Sequence, residues 1–356
     1  MASPTRPAPT RPSPPARQVW IDLVRGLCVL LVIAHHATSL VDQAGWEVPR
    51  ALFAFDDAVG AFRMPMLMAL SGLVVPRSLG RAPGAFFRGT WRRLGWPYVL
   101  WSVVTLVCVG DLSLSSVLRI PVFSPTHLWY LWLLGLLCCL AWLVSRLRAA
   151  VGAPALLLPI LAVVALLSST VVPDVHRLPR FAFLSAFFFG GWWWAERRQF
   201  RVSCRRRGVA VGMGLAAALA VLAEGVLGWR TRYESAFAWG PAGLFVALAI
   251  TGPTWKAARS RAGGRVVEAL GGLGRQSIVF YVTHLSVMVL LLRVADPVRA
   301  PIVQIGCFVV PLPVGVLFVM LRRFRGGDAL FVWPRQSRSP VGRRWTQRRV
   351  TSAGGK

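Results

Sequence analysis

Four ionisable side chains occupy the first apolar stretch of the chain, at Asp22, Arg25, His35 and His36. A charged group at bilayer depth costs at least ~2.5 kcal/mol and usually has a functional reason to be there. Arg25 and His36 are eleven positions apart, so on a helix turning ~100° per residue they share a face, ~16 Å apart along the axis. Guanidinium binds anions, and neutral imidazole can accept a proton.

Two further ionisable residues, Asp22 and His35, lie next to this pair in the sequence. Asp22 lies one helical turn before Arg25 and can pair with it. His35 points about 100° away from His36, so we expect only His36 to face the same site as Arg25 and His35 to pack or to support it. In the alternative interpretation, Asp22 and Arg25 anchor the helix at the membrane interface and His36 is a hydrogen-bonded packing residue.

These residues require membrane helices to position them. The chain has 356 residues, of which 55% are apolar, and its apolar runs are separated by arginine-rich or turn-rich segments. This composition predicts an all-α polytopic integral membrane protein with about ten transmembrane helices. The predicted spans are approximately 23–41, 58–75, 94–110, 127–144, 154–172, 181–195, 209–228, 236–252, 274–293 and 301–321.

The net charge of +28 is distributed in a pattern typical of membrane proteins. Arginine-rich loops alternate with loops that carry aspartate or glutamate, as the positive-inside rule expects. We therefore predict that both termini are cytoplasmic, that the protein is a multi-pass protein of the plasma (cytoplasmic) membrane in contact with membrane lipids, and that it does not bind nucleic acid.

The ends of the chain differ in composition from the apolar middle. Residues 1–20 are rich in proline and arginine and predict a disordered cytoplasmic tail, residues 21–325 form the predicted membrane domain, and residues 326–356 predict a basic cytoplasmic tail. Most cysteines fall inside apolar runs and act as small core residues. We expect no metal site, because two adjacent histidines do not provide one.

Five stretches resemble, in order, the motifs of the acyltransferase family 3 integral membrane proteins, which acylate sugars and other hydroxyl-bearing molecules of the cell envelope. The first is the D-x-x-R-G segment followed by His36. Arg63 stands where the family often has histidine, and Thr90 where it often has an arginine. The other stretches are FRMPMLMALSGL (62–73), FFRGTWRRLGWPYVLW (86–101), HLWYLWLL (127–134) and LGRQSIVFYVTH (273–284).

The resemblance, which runs from about residue 22 to about residue 323, implies a reaction and a set of roles. Acyl-CoA, by family frequency acetyl-CoA, would be a co-substrate rather than a tightly bound cofactor, and the acceptor would be a carbohydrate or a lipid-linked molecule. His36 would act as general base on the acceptor hydroxyl, with Arg25 and Asp22 completing the catalytic group. The donor phosphates would be bound by an arginine cluster. Its members are Arg88, Arg92 and Arg93.

Five further residues could support the site or bind the acceptor. They are His284, Tyr281, His127, Trp129 and Ser71. Each has a simpler interpretation: a buried histidine satisfied in the core, aromatic side chains at the membrane interface, or a small residue that permits close helix packing. Any single arginine of the donor cluster could likewise reflect only the positive-inside rule.

Two functions from other classes fit the same composition. A transporter or flippase of an envelope precursor would use buried ionisable residues along a permeation path, and helices broken at mid-depth in two matching halves would favour it. A structural scaffold would need Arg25 and His36 for stability alone. Transfer of a labelled acyl group that depends on His36 separates the enzyme from both.

Overall fold

The structure is a computed structural model that describes residues 19–122, 124, 126–152, 157–171, 178–197, 264–295, 300–324 and 326–334. Every regular element in these ranges is helical, which confirms the all-α fold class. The predicted spans 209–228 and 236–252, and most of both predicted tails, lie outside the described residues.

The helices follow the predicted apolar runs closely. Those that cross or line the core are α1 (Val19–Gln43), α2 (Arg50–Val74), α5 (Trp96–Val109), α7 (Trp129–Val151), α8 (Leu157–Val171), α9 (Leu178–Glu196), α11 (Ser277–Val294), α12 (Ala300–Val309) and α13 (Pro311–Leu321). Shorter elements are α3 (Pro76–Leu79), α4 (Pro83–Thr90), a π-helical turn (Trp91–Gly95), α6 (Leu114–Arg119) and α10 (Gly264–Arg275).

Four segments within the described residues are long and apolar enough to cross a bilayer. They are Val19–Gln43, Trp129–Val151, Ser277–Val294 and Ala300–Leu321. A helix needs about 20 apolar residues to span ~30 Å of hydrocarbon, a length that these segments reach or approach. The protein is therefore a membrane protein, while the total of about ten spans and the cytoplasmic position of the termini stay predictions.

Helix α1 is the central element of the described bundle. It packs against α2, α10, α11 and α12, and most of its residues between Trp20 and Val41 are buried. Because a single uninterrupted helix carries Asp22, Arg25 and His36, the spacing expected from the sequence holds in the structure. The surrounding helices decide what each of these side chains meets.

Close helix packing depends on glycine at two contacts. A Cβ added to Gly26 of α1 would overlap the backbone carbonyl of Leu270, and one added to Gly274 would overlap that of Asp22. Gly72 of α2 and Gly191 of α9 face backbone atoms across their helix contact in the same way. Small residues at membrane-helix contacts allow backbones to approach closely, which explains the glycine in the D-x-x-R-G and Ser-Gly motifs.

We predict that Gly191→Ala destabilises the protein by about 1–3 kcal/mol, because the added methyl group overlaps the Ala69 carbonyl and the helix backbones must separate. Gly190→Ala is the matched control, since a Cβ at Gly190 meets nothing within 4 Å. Thermal unfolding of the two variants in detergent measures the difference. Equal melting temperatures would contradict the packing role of Gly191.

Candidate functional site

A cavity of about 520 Å³ opens beside α1 and is lined by arginines at its exposed end. Arg25 comes from α1, Arg77 from α3, Arg81 from the loop after α3, and Arg93 from the π-helical turn. The side chains of Arg77, Arg81 and Arg93 are exposed, whereas Arg25 is half-buried further in. Four permanent positive charges from four separate elements therefore meet around one opening in the described part of the chain.

The buried end of the cavity carries hydroxyl groups. Ser71, Tyr130 and Tyr281 line it, and all three are buried. The Ser71 hydroxyl donates to the Leu67 carbonyl at 2.8 Å, and it lies 3.3 Å from the Tyr130 hydroxyl. The rings of Tyr130 and Tyr281 are in edge contact, with centroids 5.6 Å apart. The rest of the cavity wall is largely apolar, with Val29, Leu67, Leu131, Leu134 and Ile278 among its residues.

A cluster of histidines lies directly behind Tyr281. Within the described residues, His36 of α1, His127 just before α7 and His284 of α11 are in mutual ring contact, with centroid distances of 5.2 Å for His36–His284, 5.9 Å for His36–His127 and 5.0 Å for His127–His284. We call these three residues the histidine cluster. The Tyr281 hydroxyl donates to the His127 carbonyl at 2.8 Å, so Tyr281 belongs to both the cavity and the cluster.

Burial differs sharply within the histidine cluster. His284 is fully buried and His127 is 9% exposed, whereas His36 is half-buried. His36 is therefore the member that a substrate can reach with the least rearrangement. Because Arg25 lines the cavity and His36 belongs to the cluster behind it, the helix α1 links an anion-binding end to a group of imidazoles.

A family model described as an acyltransferase domain matches residues 18–320. The chain belongs to acyltransferase family 3. The match covers α1 to α13 and includes every candidate site residue, so this membrane protein is an acyltransferase. No curated protein and no solved structure matches the chain.

Only one of the three arginines predicted to bind the donor phosphates lines the cavity of the acyltransferase. Arg93 lines the cavity, but Arg88 and Arg92 do not. Arg92 instead donates through Nε to the Trp333 carbonyl at 2.9 Å, and the Trp333 amide donates to the Arg92 carbonyl at 3.2 Å. Residues 326–334, at the start of the predicted C-terminal tail, thus pack against the entrance to α5.

Two arginines of the cavity were missed as site residues in the sequence. Arg77 and Arg81 carry no motif of their own and look like ordinary positive-inside charges. They reach the cavity because the short helix α3 follows α2 after a single residue, so Arg77 and Arg81 come directly after the part of α2 that lines the cavity. The available clue was their position just after the Ser-Gly motif that ends α2.

The remaining predicted residues fall into two groups. Asp22 is buried and is one of the electrostatic neighbours of Arg25, together with Tyr130 and Arg77. Trp129 lies outside both the cavity lining and the histidine cluster, with the Arg180 guanidinium 5.2 Å from its ring centroid. Of the five possible supporting residues, four therefore belong to the cavity or to the histidine cluster: Ser71, Tyr281, His127 and His284. Trp129 belongs to neither.

A network of charged side chains beside His36 was not predicted from the sequence. His35 Nδ1 lies 2.7 Å from one carboxylate oxygen of Asp56, and the buried guanidinium of Arg63 pairs with the other oxygen. The His35 and His36 ring centroids are 4.9 Å apart. His35 thus has a different partner from His36, as their adjacent positions predict. Asp56 looks like an outer-loop charge in the sequence, but helix α2 begins before it, at Arg50.

The described part of the acyltransferase contains no group of three His, Cys, Asp or Glu side chains arranged to hold a metal ion. The histidine, tyrosine and arginine side chains of the site can transfer protons, donate hydrogen bonds and stabilise negative charge.

Proposed function

We propose that this acyltransferase transfers an acyl group from acyl-CoA to a hydroxyl group of a cell-envelope carbohydrate or lipid-linked acceptor in the plasma membrane. The observation that carries the proposal is the continuity of the site: arginines at the exposed end of the cavity, hydroxyls at its buried end, and the histidine cluster directly behind. Tyr281 joins the last two parts.

The cavity suits a donor that is anionic at one end and apolar along its length. Coenzyme A carries its phosphates at one end and its thioester at the other, joined by an extended pantetheine arm. Arginine offers planar, permanently charged donors matched to phosphate oxygens. In our proposal the phosphates bind at Arg77, Arg81 and Arg93. The pantetheine arm follows the apolar wall past Arg25, so the thioester approaches Tyr281 next to the histidine cluster.

His36 acts as the general base in this proposal. Its imidazole accepts the proton of the acceptor hydroxyl while the hydroxyl oxygen attacks the thioester carbonyl carbon. The C–S bond then breaks, the CoA thiolate leaves with the proton returned from His36, and the product is an oxygen ester. Arg25 orients the donor, and Asp22 holds Arg25 in place. The half-buried position of His36 supports its selection over its two more deeply buried neighbours.

The resemblance to the family supplies the acyl group, because acetyl is the group its members transfer most often. Tyr281 lines the cavity, and its ring also contacts that of His127 in the histidine cluster, so an acyl group at this point lies next to the proposed base. We therefore propose acetyl-CoA as the donor. The arginine-rich end of the cavity faces the side that the positive-inside rule assigns to the cytoplasm, where acyl-CoA is made.

The proposal is tested with membranes that contain the full-length protein. Incubation with acetyl-CoA labelled in the acetyl group and an envelope glycan fraction should give labelled glycan, with the label released by mild alkali as expected for an oxygen ester. Membranes without the protein are the control. Movement of an unmodified precursor across the membrane, with no label transferred, would instead indicate the transporter or flippase and would refute the proposed activity.

A further inference from the structure

The imidazole of His127 is buried without a hydrogen-bond partner. Neither its Nδ1 nor its Nε2 has one within the described structure, although both atoms are shielded from solvent. Buried polar groups in folded proteins are nearly always hydrogen-bonded, so each exception calls for an explanation such as a role toward a ligand. The backbone of the same residue is fixed, because the Tyr281 hydroxyl donates to its carbonyl at 2.8 Å.

The neighbouring His284 has a defined hydrogen-bonding state. Its Nδ1 lies 3.1 Å from the Phe280 carbonyl oxygen, which can only accept, so Nδ1 carries the hydrogen. The buried Nε2 of the neutral ring then holds a lone pair and has no partner in the described residues. His284 therefore has no N–H left to offer to a substrate.

His127, unlike His284, has an N–H that can donate to a substrate. A neutral imidazole always carries one N–H, and whichever nitrogen of His127 bears it, no acceptor among the described residues lies in hydrogen-bond geometry to it, the Tyr281 backbone being only a weak partner. The ring lies edge-on to His36, with centroids 5.9 Å apart. A reacting carbonyl that approaches His36 would therefore come within reach of this uncommitted donor.

The geometry points to His127 as the hydrogen-bond donor that stabilises the oxyanion formed in the acyl-transfer step. This inference rests on the proposed function. When the acceptor hydroxyl attacks the thioester and its proton passes to His36, the carbonyl oxygen becomes negatively charged until the C–S bond breaks and the carbonyl re-forms. The His127 N–H donates to that oxygen and returns to its unpaired state when the ester leaves. No proton or electron is gained or lost by His127.

The burial of His127 suits it to stabilise the negative charge that forms on the carbonyl oxygen. A donor that is already oriented and shielded from water stabilises developing charge without reorganising, and it acts in a medium of low dielectric constant. The His127 ring contacts the rings of Tyr281 and His284, with centroids 5.9 and 5.0 Å apart. The four arginines line the cavity, whereas His127 lies in the cluster where His36 takes up the proton.

His127→Phe tests the inference, because phenylalanine keeps a planar ring but has no N–H. In the full-length protein with labelled acetyl-CoA and the envelope glycan fraction, we expect kcat to fall by roughly 100- to 1,000-fold, with the KM for acetyl-CoA changed less than about threefold. His127→Gln, whose amide can donate, should recover at least about tenfold of the lost kcat.

Three results would overturn the inference. In the first, His127→Phe keeps kcat close to that of the wild-type protein, which refutes His127 while leaving the proposed function intact. In the second, only KM rises, which assigns His127 to binding. In the third, the wild-type protein transfers no label, which refutes the proposed function and this inference with it. If His127→Phe melts too low for assay, His127→Asn and His127→Gln are compared with His127→Ala, and at least one amide must exceed alanine by about tenfold.

Discussion

Replacing His36 by alanine is expected to leave the protein in the membrane and to abolish acyl transfer. A positioned general base contributes about 100- to 10,000-fold to the rate, and the other two residues of the histidine cluster are more deeply buried than His36. The measurement is the initial rate of label transfer from acetyl-CoA to the envelope glycan fraction, at donor concentrations above KM. Membrane content of the variant is compared by immunoblot.

His35→Ala is the matched control for this experiment. It removes an imidazole from the adjacent position of the same helix, but this imidazole pairs with Asp56. We expect the His35 variant to keep a substantial fraction of the wild-type rate, with any loss reflected in a lower melting temperature. Full activity of His36→Ala would refute the mechanism, and equal loss in both variants would indicate that the histidines serve the stability of α1 instead.

The second large effect is expected at the arginines of the cavity. Arg93→Ala should raise the KM for acetyl-CoA by roughly 10- to 100-fold, because a hydrogen bond to a charged group contributes about 1.5–3 kcal/mol. The turnover number should change less, since phosphate binding is shared by the ground state and the transition state. Initial rates over a range of acetyl-CoA concentrations separate the two parameters.

Arg92→Ala supplies the control for this substitution. It removes the same charge from the neighbouring position, but the Arg92 side chain bonds the Trp333 carbonyl and does not line the cavity. We expect its KM for acetyl-CoA to stay within about threefold of the wild-type value and its melting temperature to fall. If Arg92→Ala and Arg93→Ala raised KM equally, the effect would come from the overall positive charge and the cavity would not be the donor site.

The character of the helix α1 was predictable because its determinants are local. Apolar runs long enough to cross a bilayer define membrane helices, and the period of a helix places Arg25 and His36 on one face from their spacing alone. The separation of His35 from His36 follows from the same geometry. The five motifs indicated the family, which the match over residues 18–320 confirms.

Contacts between side chains of different helices could not be predicted from the sequence. Nothing in the spacing of His36, His127 and His284 shows that their rings meet, because they are far apart along the chain and the rotation of α1 and α11 about their own axes is not fixed by the sequence. The rotation is set by packing, including the glycine contacts that bring α1 against α10 and α2 against α9. Asp56 shows the same point, since its contact with His35 depends on α2 lying beside α1.

The sequence by itself determined the helical membrane class, the family and the position of each reactive group along its own helix. The tertiary structure alone decided which groups share a site. Arg77 and Arg81 line the cavity together with Arg25 and Arg93, whereas Arg92 bonds the C-terminal segment at Trp333. The physical reason is that hydrophobicity and helical period act over a few residues. A site is made by the packing of distant helices, which depends on the shapes of whole surfaces.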